Sequence, residues 1–129
     1  MNSDHLITSI YKWTEINLDE LAQFSFEARQ SRPETFNIRS SIEEERRIIK
    51  RRQQFSPSYV VITRKGNEIL GWLSFDLEST TILEVGRWLP LIRSTQYEGQ
   101  VIASLLDECK NYCIQIGYPR IEVSCRIRD

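Results

Sequence analysis

The chain has 129 residues, 40% of them hydrophobic and 27% charged, with 17 Lys and Arg against 18 Asp and Glu for a formal net charge of −1. That length suits one domain with its own core, and the composition lies far from the low-hydrophobicity, high-charge signature of disorder. Balanced charge sets up no global field toward nucleic acid or an anionic membrane, no apolar run approaches the ~20 residues that span a bilayer, and Met1-Asn2-Ser3-Asp4-His5 lacks the order of a signal peptide, so the expected compartment is the cytoplasm.

Leu6 to Trp13 is rich in β-branched and aromatic residues and predicts a first strand. Asn17 or Thr14 can cap the helix that follows, in which Leu18, Leu21, Ala22, Phe24, Ser25 and Ala28 recur at helical steps until about Arg29, with Pro33 as the stop. Ser40-Ser41-Ile42-Glu43-Glu44 opens a second helix with a capping hydroxyl and first-turn acids. Arg46, Arg47, Lys50, Arg51 and Arg52 load its far end with cations, the order that the helix dipole favours. This basic run could be a phosphate-binding patch, but pairs such as Glu43 with Arg47 fit a solvated face better, and it is discounted as a site.

After Pro57, Tyr59 to Arg64 and Glu68 to Leu77 predict two antiparallel strands joined by the Gly-containing turn Lys65-Gly66-Asn67. Thr80 to Leu89 predicts the next strand. Gly86 interrupts it, as at a bulge or a close backbone approach, and Pro90 is expected to stop the ladder. Residues 97 to 116 carry Val101, Ile102, Leu105, Leu106, Cys109, Tyr112, Cys113 and Ile116, a sustained helical stripe, with Gly117 as its stop. Ile121 to Ile127 alternates as a final strand. Cys109, Cys113 and Cys125 lack the CxxC spacing of a zinc or redox site, and His5 is the only histidine, so reduced core thiols and no metal are expected.

The order strand, two helices, hairpin, bulged strand, long helix, strand resembles the GNAT superfamily of acyl-CoA-dependent N-acetyltransferases. Three segments carry the resemblance: Gly71-Trp72-Leu73, Leu83-Glu84-Val85-Gly86-Arg87-Trp88, and Leu105-Leu106 followed by Gly117-Tyr118-Pro119-Arg120-Ile121. It implies an α/β fold of the α+β kind, with a mixed, mainly antiparallel sheet of about five strands flanked by three helices. Residues 1–129 would form a single GNAT-like domain, the N-terminal part of a longer protein or of a tandem, because the family's closing helix, which carries its usual tyrosine general acid, and the last two strands would follow Asp129.

In that family a loop of pattern Arg/Gln-x-x-Gly-x-Gly/Ala ahead of the long helix receives the coenzyme's pyrophosphate. The physical basis is general, since a helix N-terminus presents unpaired N–H donors and the positive end of a dipole. The best match is Glu98-Gly99-Gln100-Val101-Ile102-Ala103, with Glu98 in place of Arg or Gln and Val101 in place of the central Gly; a second register starts at Gln96. The alternative is a plain helix start capped by Thr95 or Ser94. The resemblance thus implies acetyl-CoA as cofactor, with Trp88, Gly99, Gln100, Val101, Ile102 and Ala103 as its binding residues.

Acyl transfer to an amine needs a base for the ammonium and a donor for the thioester carbonyl. In the resemblance, family fourth-strand carboxylates make Glu84 the candidate base and Asp76, near the end of the third strand, its rival; for both, an exposed or hydrogen-bonded strand acid is the plainer reading. Two functions stay open: an N-acetyltransferase acting on a small-molecule or peptide amine, or a catalytically inactive GNAT-like domain that contacts a partner. An open flank on the last strand invites a homodimer or a second acetyltransferase-like domain, and no nucleic acid or membrane partner is expected.

Overall fold

The computed structural model describes residues 5–31, 41–52, 54, 58–76, 82–85, 91–92, 97–117 and 120–123. In chain order these form β1 (Leu6–Lys12), a single 3-10 turn (Trp13–Glu15), α1 (Leu18–Ser31), α2 (Ile42–Arg52), β2 (Ser58–Lys65), β3 (Glu68–Asp76), β4 (Ile82–Val85), β5 (Leu91–Ile92), α3 (Glu98–Gln115) and β6 (Arg120–Val123). The sheet order is β1-β2-β3-β4-β6, with β5 on β3. β1 to β4 pair antiparallel in sequence, and β4 pairs β6 in parallel. This is the mixed, mainly antiparallel α+β sheet with three helices that the element order predicts.

Alternation along β2 feeds two cores. Val60 and Ile62 join Trp13, Leu21, Ala22, Phe24, Ala28, Ile49, Ile69 and Trp72 beneath α1 and α2. On the other face Val61 joins Leu70, Leu73, Val101, Leu105, Cys109 and Cys113 beneath α3. Ile69 and Trp72 share a face although three residues apart, because Thr63 pairs Gly71 while Arg64 pairs Ile69, leaving Leu70 as an extra bulge residue on β3. The bulge resets the parity, so both apolar sets of this strand reach a core.

Local chemistry explains the element ends. Asn17 Oδ1 accepts the Glu20 N–H at 3.1 Å, so Asn17 rather than Thr14 caps α1, and Ser41 Oγ accepts the Glu44 N–H at 3.1 Å to cap α2. Gly66 has φ 62° in the β2–β3 turn, and Gly117 has φ 92° where α3 stops, both in the left-handed region that glycine enters without steric cost.

Three expectations need correction. The 3-10 turn ends the first strand at Lys12 and buries Trp13. Pro90 does not end the ladder: Leu91 pairs Trp72 and Ile92 pairs Gly71, which makes a sixth strand. Within α2, Arg46 binds Glu43 at 3.0 Å and Arg47 lies 3.8 Å from Glu44, so the pairs are one residue closer in sequence than Glu43 with Arg47.

Candidate functional site

α3 begins at Glu98 with Tyr97 as its N-cap, at φ −112° and ψ 15°. Val101, Leu105, Cys109 and Cys113 are its buried stripe, and they turn the opposite side of the first turn, Gly99 and Gln100, to solvent. Val101 donates its N–H to the Tyr97 carbonyl at 2.8 Å. Ile102 and Ala103 lie one step further inside the helix, where each N–H is committed to the carbonyl four residues back. Of the five amides predicted to receive a pyrophosphate, Gly99 and Gln100 therefore belong to the first turn with Glu98, while those of Val101, Ile102 and Ala103 close the helix. Val101 is also wholly buried, which explains why a branched apolar residue stands where the resemblance expects glycine.

The Gly99 side of that turn is exposed: a methyl group built on Gly99 meets nothing within 4 Å outside its chain neighbours and its own helix backbone. The turn is steadied from the β2–β3 hairpin, where Lys65 Nζ lies 3.1 Å from the Tyr97 hydroxyl and 5.1 Å from its ring centroid.

The second part of the site lies where β3, β4 and β6 run side by side. Asp76 is the direct register partner of Glu84, and Phe75 that of Val85. Along β4 and β6 the parallel register pairs Ile82 with Arg120, Leu83 with Ile121, Glu84 with Glu122 and Val85 with Val123. From Phe75 to Trp72 β3 advances three residues, whereas Val85 to Leu91 opposite advances six, so the segment between β4 and β5 carries three extra residues. An interruption in the fourth strand was expected at Gly86; Gly86 and Trp88 themselves lie outside the described residues. Beyond it β5 pairs β3, and among the described residues nothing pairs the far side of β5.

Several other polar groups in the described residues tie elements of the fold together. Trp72 Nε1 donates to Ser25 Oγ at 2.9 Å inside the core, and Arg29 Nε binds the buried Glu45 at 2.7 Å, tying α1 to α2. Arg64 holds Glu20 through two bonds of 3.0 and 2.8 Å. These hydrogen bonds hold the Glu20 carboxyl below its ordinary 4.5, against a smaller opposing effect of burial. Burial pushes the Cys109 thiol up to about 12 and raises that of Cys113, as suits inert core thiols. Tyr112 packs on Tyr59 with ring centroids 5.1 Å apart, and burial first, then its bond to Tyr59, raises its hydroxyl to about 12. Among the described residues no cluster of three metal-ligating side chains forms, and no helix is long and apolar enough to cross a membrane.

A scan against protein-family models and a search of the curated proteins both yield no match. Solved structures do match. A probable acetyltransferase aligns over 97% of this chain and 81% of its own at a TM-score of 0.70, with 16% identity. The chain has the GNAT fold. A GNAT family acetyltransferase from Staphylococcus aureus aligns over 96% of this chain and 87% of its own at TM-score 0.68 and 12% identity. An aminoglycoside 6'-acetyltransferase of type Ii aligns over 91% and 70% at TM-score 0.67 and 14% identity. The GNAT resemblance carried by short segments of sequence is thus matched by the path of most of the chain, at identities that speak for the fold alone.

Proposed function

We propose that the chain is an N-acetyltransferase domain that binds acetyl-CoA at the first turn of α3 and transfers its acetyl group to an amine. The observation that supports this reading is the exposed glycine in the first turn of α3, in a fold shared with acetyltransferases. Bound there, the coenzyme supplies an acetyl thioester. The Gly99 and Gln100 amides, with that of Glu98, bind its pyrophosphate through backbone N–H groups and the helix dipole. Glu84 or Asp76 takes a proton from the acceptor's ammonium, freeing the nitrogen lone pair for attack on the carbonyl carbon. Trp88, between β4 and β5, is assigned to the coenzyme side. Residues 1–129 are read as one GNAT-like unit, acting in the cytoplasm where its coenzyme would be available.

The acceptor is an amine whose identity the site leaves open. One of the matched neighbours is an aminoglycoside acetyltransferase, which makes polyamine-rich small molecules the first acceptors to screen. The alternative, an inactive GNAT-like domain in contact with a partner or a second copy, draws on Glu98, an acid where the family carries Arg or Gln. Coenzyme A separates the two. At a hundredfold excess over its dissociation constant it should stabilise the fold by about 2.7 kcal/mol, readable as a rise in melting temperature. Gly99→Ala adds a methyl that meets no neighbour and removes glycine's helix penalty, so the unliganded melting temperature should hold or rise slightly while the coenzyme-induced rise shrinks. No rise at millimolar coenzyme A would leave the interaction reading.

A further inference from the structure

β1 is an end strand of the sheet, and among the described residues it pairs β2 alone. Its residues Leu6 to Lys12 run opposite Lys65 to Tyr59 without a register shift. Exposed edges are usually guarded by a bulge, a proline or a charge. From Leu6 to Tyr11 there is no bulge, no proline and no charged residue, and Ile7 is 57% exposed. At the opposite end of the order β6 carries Arg120 and Glu122.

Two contacts fix which main-chain groups of β1 face outward. The Lys12 N–H donates to Glu15 Oε1 at 2.8 Å, so it turns away from β2. Thr8 Oγ1 and Oγ1 of its register partner Thr63 lie 2.7 Å apart, as suits the closer, non-hydrogen-bonded kind of antiparallel pair. Strand alternation makes the two agree. Leu6, Thr8, Ile10 and Lys12 point their backbone groups to the free edge, and Ile7, Ser9 and Tyr11 point theirs to β2. The side chains alternate as well: Tyr11 packs on the core beneath α1 and α2, the face that Ile7 and Ser9 share, while Leu6 and Ile10 pack on the core beneath α3.

We infer that this edge pairs with the same edge of a second copy of the chain, antiparallel about a two-fold axis at Ser9. A symmetric antiparallel seam must set outward-pointing residues opposite one another, so its axis passes through a residue, and Ser9 is the one that keeps the whole strand paired. Thr8 then stands opposite the partner's Ile10, and Leu6 opposite the partner's Lys12, so the outward backbone groups meet their complements. Ile7 stands opposite the partner's Tyr11, an aliphatic and aromatic pair that covers the exposed isoleucine on both sides of the axis. Each Lys12 faces a leucine, so no like charges meet across the seam. One strand edge is a small interface, and the dimer should therefore dissociate on dilution.

Sedimentation of the full chain across a concentration series tests this. The mass should rise from one chain to two, and Ile7→Lys should weaken the association about tenfold, since each dimer loses the Ile7–Tyr11 pair twice. Ile7 is exposed, so the melting temperature of the dilute chain should not change. Register is read by oxidation in a Cys125→Ser background, where the remaining Cys109 and Cys113 are buried. Ser9→Cys sets two thiols on the axis with Cα atoms about 4.5 Å apart, within reach of a disulfide, and should cross-link. Ile7→Cys is exposed but lies about 14 Å along the strands from its symmetry mate, and should not. A single-chain mass at every concentration overturns the inference and leaves the edge to a strand of another protein. A dimer in which Ser9→Cys fails to link, or Ile7→Cys links as readily, overturns it too, because the seam then lies elsewhere.

Discussion

Gly99 shows how one residue can bear on function without bearing on packing. An exposed glycine at the second position of a helix is not required by the helix, and no neighbour needs its lack of a side chain. What it leaves is bare backbone. Glu20 illustrates the opposite case, a charged residue whose role is structural. Its carboxyl is held low by Arg64, so its folded value lies below its unfolded one. The linked stability is therefore present above about pH 4.5 and fades as pH falls through the folded value. Arg64→Gln should lower stability at neutral pH, and urea titrations should show the gap between variant and wild type closing once the pH drops below that range. The half-exposed setting keeps the effect modest.

At the scale of elements, helix ends matter as much as helix faces. α2 has 11 residues, among them Glu43, Glu44, Glu45, Arg46, Arg47, Lys50, Arg51 and Arg52, and its packing onto the rest of the molecule runs largely through Ile49 and the Arg29–Glu45 pair. Its start relies on Ser41. Ser41→Ala removes the acceptor of the Glu44 N–H and should cost about 1 kcal/mol, read by denaturant unfolding, whereas Ser41→Asp should keep the cap and recover that loss. α3 is steadier because Val101, Leu105, Cys109 and Cys113 are all buried against the sheet. Its N-terminus can consequently be held in place without a side-chain cap.

For the whole molecule, β2 and β3 are the shared wall of two cores, one under α1 and α2 and one under α3. Loss of either layer exposes the other through the same strands. Trp13 and Trp72 report on one face and Cys109 and Cys113 on the other. In a Trp88→Phe, Cys125→Ser background, tryptophan fluorescence and thiol labelling across a urea series should share one midpoint, as in a two-state transition. Separate midpoints would show that the layers unfold independently.

Periodicity by itself determined the helices and the principal strands of this protein. Burial of one face forces apolar residues to recur at 3.6 or 2 residues, and the stripe from Val101 to Cys113 and the alternation of β2 obey that rule. Caps at Asn17 and Ser41 and the stops at Gly66 and Gly117 are equally local, so residue type alone points to them. Long-range pairing is another matter. That β3 needs an extra residue at Leu70, that pairing resumes past Pro90, and that Asp76, Glu84 and Glu122 stand in one row are consequences of register. Register is settled by the packing of both faces at once, between residues far apart in the chain, and a single strand's sequence holds no record of which partner will stand opposite. The same reasoning applies to the amides of α3: the chain named the segment, but only the start of the helix at Glu98 decided which of its N–H groups were left over.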